Sequence, residues 1–376
     1  MRIPQPPQVS SPRRDARVTA RVGRALGIAV GVCFVTGMIS HLHQHPVGWL
    51  PLPPNPTWGY QVTQGAHVAF GIACVPLVLV KLFSVYPLLL QWPPVSGLKH
   101  ALERLSVAVL VSCMLFEVTT GILNTVQWYP WSFFFPAAHY AVAWALVGSI
   151  LLHLAVKADV IAAALRTSLD DARATPDDPV GLSRRGLLLA TTGAVGAVTL
   201  VTIGQTLPGL GRLALLAPRR PDVGPQGLPV NRTATAAGVR DLAVADSWRL
   251  EVTGTNPLRL SRSDLSAMAQ HEVALPIACV EGWSSTGRWG GVRLRDVLAL
   301  AGVDPSADVT VRSLEPHGIY RSSHLTPAQA DHPDTLLALR LNGSDLALDH
   351  GYPLRLIAPN RPGVLQTKWL MRIEAS

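Results

Sequence analysis

Five apolar runs, each near the roughly 20 residues that cross a bilayer, constrain this chain more than any other feature. They cover residues 22–40, 65–89, 105–126, 137–156 and 186–207. With 376 residues, 48% of them hydrophobic and only 15% charged, the chain is not one soluble domain. The basic, Pro-containing segment 1–21 does not read as a signal peptide, because several more spans follow it. The expectation is a multi-domain protein. A basic tail (1–21) leads into a four-helix transmembrane bundle (22–160) and a loop (161–185). A fifth span (186–207), a Pro/Gly/Arg-rich linker (208–229) and a terminal domain (230–376) follow.

Positive charge sets the expected topology. Arg13, Arg14, Arg17, Arg21 and Arg24 precede or enter the first span. The second loop carries Lys99 and Arg104, and the fourth Lys157, Arg166, Arg173, Arg184 and Arg185. The first loop (41–64) and the third (127–136) have no Lys or Arg, and instead hold Trp49, Trp58, Tyr60, Trp128, Tyr129 and Trp131. This pattern places the N-terminus in the cytoplasm and the terminal domain outside it, as in a multi-pass protein of a bacterial cell membrane. The net charge of +8 is then a topology signal, and no nucleic-acid partner is implied. Ser183-Arg184-Arg185-Gly186-Leu187-Leu188 resembles the twin-arginine export motif, with Leu for the usual Phe and no later Lys. That resemblance implies export of a folded, cofactor-loaded domain; two topology-setting arginines are the other reading. Cleavage near residues 214–217 would free the domain, and retention as an anchor is the reading adopted.

Histidines carry the chemistry of the bundle. His67 and His139 lie at matching depths near the outer ends of the second and fourth spans. Ionisable residues inside spans are functional candidates, and facing imidazoles are axial ligands for a b-type haem. His153 follows His139 by about four helical turns on a similar face. The spacing of His139 and His153 resembles quinol-oxidising b-type cytochromes and ferric-reductase-like haem proteins, in which two helices each carry a His pair separated by thirteen residues. Lys81 stands where the fourth His belongs, so a second haem through His153 needs another partner, with His100 as the candidate. His41, His43 and His45 are read as loop residues, and Glu117 as a quinol proton acceptor or a structural hydrogen-bonding group.

The terminal domain reads as mixed α and β, with strands over 248–252, 275–280, 309–314, 336–341, 354–358 and 368–373. Helices are expected over 262–269, capped by Ser261, and over 294–301, closed by Gly302. Cys279 is its one cysteine, delivered by a strand to a Gly/Ser/Trp-rich loop. A lone thiol there is a ligand, a nucleophile or a small core residue.

Residues 228–376 resemble the catalytic domain of the sulfite oxidase family of molybdenum enzymes, an α+β molybdopterin-binding domain. The resemblance rests on three segments in the family's order. These are Asp246-Ser247-Trp248-Arg249-Leu250-Glu251-Val252-Thr253-Gly254; Cys279-Val280-Glu281-Gly282-Trp283-Ser284 with Trp289-Gly290-Gly291-Val292; and Leu341-Asn342-Gly343, His350-Gly351-Tyr352-Pro353-Leu354-Arg355-Leu356 and Lys368-Trp369-Leu370. It implies that Cys279 binds molybdenum beside a single pterin dithiolene. It also implies that Asn231, Arg232, His350, Arg355 and Lys368 hold the pterin, while Arg355 and Lys368 read as strand-surface charges otherwise. His317, Tyr320 and Arg321 are candidates for the substrate side, with Tyr320 and Arg321 offered as catalytic residues.

The loop after Cys279 lacks the Gly-Asn-Arg-Arg of true sulfite oxidases, and Glu281 is a poor neighbour for an anionic substrate. It is closer to the periplasmic methionine-sulfoxide reductase branch, which draws electrons from a membrane haem protein. The expected activity is a membrane-anchored molybdenum-cofactor oxidoreductase exchanging electrons with the quinone pool through haem b. Its substrate would be a small-molecule or protein-bound oxidised compound such as an S-oxide. A sulfite dehydrogenase and a metal-free exported binding module are the alternatives.

Overall fold

The computed structural model describes residues 15–89, 95–169, 183–204, 210–217 and 219–375. Expectations resting on Arg13, Arg14 and Arg173, on most of the fourth loop, and on parts of the second loop and the linker fall outside these residues. The chain forms two compact units. The first takes residues 1–37, 66–204 and 213–216; the second takes 38–65, 205–212 and 217–376.

Among the described residues, five helices are long and apolar enough to cross a membrane. They are α1 (Ala16–Gln44), α2 (Gly59–Leu89), α3 (Leu98–Thr125), α4 (Phe135–Arg166) and α5 (Arg184–Ile203). In the first unit they pack around Val22, Val30, Cys74, Leu77, Met114 and Leu146. Their outward faces stay apolar, with Leu79, Leu151 and Val160 exposed. Ser183 caps α5 by accepting from the Gly186 amide at 3.0 Å. Arg184 Nε lies 3.0 Å from Asp15 Oδ2, and Asp15 also pairs with Arg17 at 2.7 Å. The first arginine of the twin pair is thus buried in an ion-pair cluster at the head of α1. α1 continues through His41 and His43, which are helical rather than in a loop, because no helix breaker occurs before Pro46.

Ten strands occur among the described residues of the second unit. One sheet has the order β2-β1-β10-β5-β6, from β1 (Leu250–Val252), β2 (Leu258–Leu260), β5 (Val309–Ser313), β6 (Ser322–Leu325) and β10 (Leu370–Ala375). The other has the order β3-β4-β7-β8, from β3 (His271–Ala278), β4 (Ser284–Arg293), β7 (Leu336–Leu341) and β8 (Ser344–Asp345), with β9 (Arg355–Ile357) also on β7. All pairings are antiparallel except β1 with β10. Short helices α6 (Arg240–Ala243), α7 (Arg262–Ala267), α8 (Leu294–Leu300) and α9 (Pro327–Ala330) complete it. Ser261 and Asp264 form a capping box on α7. Leu250, Val252, Val311, Leu337, Leu356 and Ile373 fill the larger core. A second cluster joins Leu275, Ile277, Cys279, Trp289 and Leu341.

The Gly/Ser/Trp-rich stretch after Cys279 is β4, a ten-residue central strand, where the sequence suggested a loop. Its glycines are needed for close approach. A Cβ on Gly291 would stand 2.1 Å from the Leu337 carbonyl oxygen.

Residues 38–65 belong to this unit through Asn360, which has φ +49. Its Oδ1 accepts from the Tyr60 amide at 2.6 Å, capping α2 from a distant part of the chain. Its Nδ2 donates to the Pro53 carbonyl at 2.7 Å, and its own amide donates to that of Thr57 at 3.3 Å. Gly59 leaves room for this contact, since a Cβ there would lie 2.8 Å from Asn360 Oδ1.

Candidate active site

β3 ends in a tight turn that holds Cys279. The Cys279 amide donates to the Trp283 carbonyl at 2.9 Å, and the Gly282 amide to the Cys279 carbonyl at 3.1 Å. Gly282 takes φ +92, which a side chain would strain. Cys279 is 1% exposed. Glu281 is buried beside it, and its Oε2 accepts from Trp283 Nε1 at 2.9 Å and Arg219 Nε at 3.0 Å. Burial pushes the Cys279 thiol well above its usual range, and the charge of Glu281 adds to this. The free residue is a neutral thiol, so thiolate chemistry here requires a bound cation to compensate it.

Cys279 lines a cleft together with Trp283, Asn231, His350, Arg355 and Lys368. Burial, then the Arg355 charge, pulls His350 down to about 4. The neutral ring lies with Nε2 2.7 Å from the Pro225 carbonyl, so Nε2–H donates and Nδ1 is free to accept. Arg355 Nη1 donates to the His350 carbonyl at 3.1 Å, and its guanidinium lies 5.1 Å from the Trp289 ring centre. Burial lowers Arg355 to about 9, still cationic at neutral pH. Its Nε is buried with no partner among the described residues. Lys368 Nζ donates to the carbonyls of Arg232 and of Asp349, the latter at 3.1 Å. Burial, then Arg355, brings Lys368 down to about 7.

Arg355 and Lys368 have no salt-bridge partner among the described residues, although Asp349 also lines the cleft; these buried cations and donors fit an anionic, heteroatom-rich group, and the buried sulfur fits a soft metal. Pterin phosphate and molybdenum have that chemistry.

The other proposed site residues lie differently. Arg232 contributes its carbonyl to Lys368, while its guanidinium pairs with Glu315 at 2.6 Å. Tyr320 Oη donates to Gln44 Oε1 at 3.3 Å, and burial and Cys279 raise its hydroxyl above the usual value. Arg321 Nη1 donates to the Pro316 carbonyl at 3.0 Å on the surface, so its charge is turned to the backbone.

In the first unit, the His67 and His139 ring centres are 6.3 Å apart. Two imidazoles bound to one metal at about 2.0 Å, each nitrogen about 1.1 Å from its ring centre, would be separated by about 6 Å. Both rings are oriented alike. His67 Nδ1 is 2.9 Å from the Cys33 carbonyl and 3.1 Å from Thr36 Oγ1. His139 Nδ1 is 3.2 Å from Thr120 Oγ1. Thr36 and Thr120 each donate to a carbonyl four residues back, at 2.7 Å, which leaves an oxygen lone pair for the imidazole N–H. His67 Nε2 is then free of a proton, as a metal ligand must be. Glu117 Oε2 lies 3.0 Å from His139 Nε2 and would have to give up that contact.

His100, the candidate partner of His153, is engaged by Ser96 at 2.9 Å and Arg104 at 3.3 Å, and Lys81, at the position where the pattern departs, donates from Nζ to the Thr19 carbonyl at 2.9 Å.

Several residues of these sites were not read from the sequence. Trp283, Asp349 and Gly363 line the cleft, Gln61, Gln64 and Asn360 hold the segment 57–64 and the Cys279 turn, and in the first unit Thr36 and Thr120 contact His67 and His139. A signal existed for two of them, because Thr-Gly occurs at 36–37 and again at 120–121. A Cβ on Gly37 would sit 3.2 Å from the His67 ring.

A buried thiol at a β-hairpin turn, facing cationic donors across a cleft, defines a cofactor-dependent redox enzyme. The oxidoreductase molybdopterin binding domain matches residues 236–376. The uncharacterized oxidoreductase YuiH of Bacillus subtilis is 33% identical over 149 residues, 39% of this chain and 72% of that protein. Mitochondrial sulfite oxidase of Rattus norvegicus is 34% identical over 157 residues, 34% of this chain and 29% of its own length. A protein of Azospira oryzae provisionally named a protein-methionine-sulfoxide reductase subunit, YedZ1, is 32% identical over 137 residues, 36% of this chain and 51% of that protein. The chain belongs to the family of molybdopterin-binding oxidoreductases, and it is an enzyme. It spans less than a third of the length of the sulfite oxidase it matches.

Proposed function

We propose that the protein is a membrane-anchored molybdenum-cofactor oxidoreductase that reduces an S-oxide outside the cytoplasm, with electrons from quinol passing through haem b. The observation that carries the reading is the cleft in which buried Cys279 faces Arg355 and Lys368. Cys279 would supply the thiolate ligand, and Arg355, Lys368 and Asn231 would hold the pterin and its phosphate. His350 Nδ1 offers an acceptor to a ring N–H. Bound there, molybdenum supplies a two-electron centre for oxygen-atom transfer. Reducing R2SO to R2S and water consumes two electrons and two protons, and Tyr320 is the nearby hydroxyl among the proposed catalytic residues.

The exposed apolar faces of the five helices support membrane anchoring. The distribution of Lys and Arg supports an outward-facing catalytic unit. The matched orientation of His67 and His139 supports a haem b on the electron path.

Metal and haem analysis of wild type and Cys279→Ser tests the reading. Wild type should hold molybdenum and show a b-type Soret shift on reduction, and the variant should lose molybdenum alone. Molybdenum retained stoichiometrically by Cys279→Ser would refute the ligand assignment. Methionine sulfoxide should re-oxidise the reduced haem. Rapid haem reduction by sulfite would instead reverse the direction of flow.

A further inference from the structure

The Cys279 turn is held by residues far outside the 236–376 stretch that defines the family. Gln64 Nε2 donates to the Val280 carbonyl at 3.3 Å, one residue beyond Cys279. Gln61 Nε2 donates to Ser284 Oγ at 2.9 Å, where β4 begins. The two amides therefore grip both ends of the turn.

Behind them runs a continuous polar chain. Gln64 Oε1 accepts from Tyr60 Oη at 3.4 Å, and Tyr60 Oη lies 3.0 Å from Ser40 Oγ. Ser40 Oγ accepts from Gln44 Nε2 at 3.3 Å, and Gln44 Oε1 accepts from Tyr320 Oη at 3.3 Å. The chain thus begins beside Cys279 and ends on Tyr320. Tyr60 is 1% exposed and Gln64 5%, so these bonds are not competing with bulk water. The segment cannot slide, because Asn360 fixes Tyr60, Thr57 and Pro53, and Pro362 bridges to Ala278 at the end of β3.

We propose that Gln61, Gln64 and Tyr60, at the head of α2, are positioning residues of the Cys279 centre, fixing the turn that aims its sulfur and coupling that turn to Tyr320. This rests on the proposed molybdenum centre and extends it. The family domain lends the ligand, while the connection between α1 and α2 sets its orientation.

The test uses the full-length, cofactor-loaded protein in detergent, as wild type, Gln64→Leu and Tyr60→Phe. Tyr60→Phe keeps the ring and removes only the hydroxyl that Gln64 and Ser40 share. Molybdenum content, the Mo(V) electron paramagnetic resonance signal, and kcat and KM for methionine sulfoxide with a reduced viologen donor are measured. Both variants should keep molybdenum but show shifted Mo(V) g-values. Gln64→Leu should lose about tenfold in kcat, as expected for removing a buried hydrogen bond, with KM little changed. Tyr60→Phe should move both readouts the same way by less. A wild-type signal and kcat in both variants would overturn the inference while leaving the proposed function intact. Loss of molybdenum from both would also overturn it, since the segment would then be a folding element. Wild type without molybdenum would sink the proposed function itself.

Discussion

Asn360 concentrates three contributions in one side chain, so replacing it has a calculable local effect. Asn360→Ala removes the acceptor that caps the Tyr60 amide, worth about 1 kcal/mol for a helix cap. It also removes the donor to Pro53, worth about 1 kcal/mol for a net hydrogen bond. Alanine must further adopt φ +49, which costs an ordinary side chain about 1 kcal/mol. The sum, about 3 kcal/mol, should speed local opening of residues 57–64 by about a hundredfold. Asn360→Gly loses the same two bonds but tolerates the backbone, so about 2 kcal/mol and roughly thirtyfold are expected. Hydrogen exchange of the peptide spanning residues 57–64, followed by mass spectrometry, reads both. Wild-type exchange in the two variants would refute the anchoring argument. Equal acceleration in both would refute its backbone component.

Lys368 gives a pH dependence with a definite sign. Its native value of about 7 lies below the 10.5 of an exposed lysine, so between these limits the unfolded chain binds the extra proton. The cofactor-free protein should therefore gain stability as pH rises through this window, read as the thermal midpoint, and Lys368→Met should flatten the slope. A bound phosphate would favour the charged lysine, so cofactor affinity should fall above about pH 7. Gly291→Ala should fail to fold the second unit, measured as lost near-ultraviolet dichroism and lost molybdenum. Its Cβ would lie 2.1 Å from a β7 carbonyl, and a wild-type spectrum would contradict that packing.

The parts of this protein that are legible in its sequence are those with local causes. The five long apolar helices follow from continuous apolar composition, and the cap at Ser261 from a single polar residue before a helix. Cys279 and the cleft residues His350, Arg355 and Lys368 were found through motifs, and the structure gathers them around one cleft. What was missed has non-local causes. β4 reads as a loop because three glycines depress its strand character, yet β3 and β7 pair with it on both sides. Gln61 and Gln64 look like ordinary polar residues at a helix start. Their partners Ser284 and Val280 lie more than two hundred residues away, where no spacing rule reaches. Arg321 shows the converse: its residue type suits an oxyanion, but its backbone places it on the Pro316 carbonyl.

The membership of residues 38–65 in the second unit bears on how this enzyme can be divided. A protease cutting near Ala214–Ala217 would sever the chain without yielding a self-sufficient soluble enzyme, because Asn360, Val280 and Ser284 would still depend on Pro53, Tyr60, Gln61 and Gln64. The catalytic part is discontinuous in sequence, completed by residues 38–65, which the stretch 66–204 separates from the rest of it. The helical unit and the catalytic unit can thus be exchanged between related proteins only if the α1–α2 connection travels with the catalytic unit.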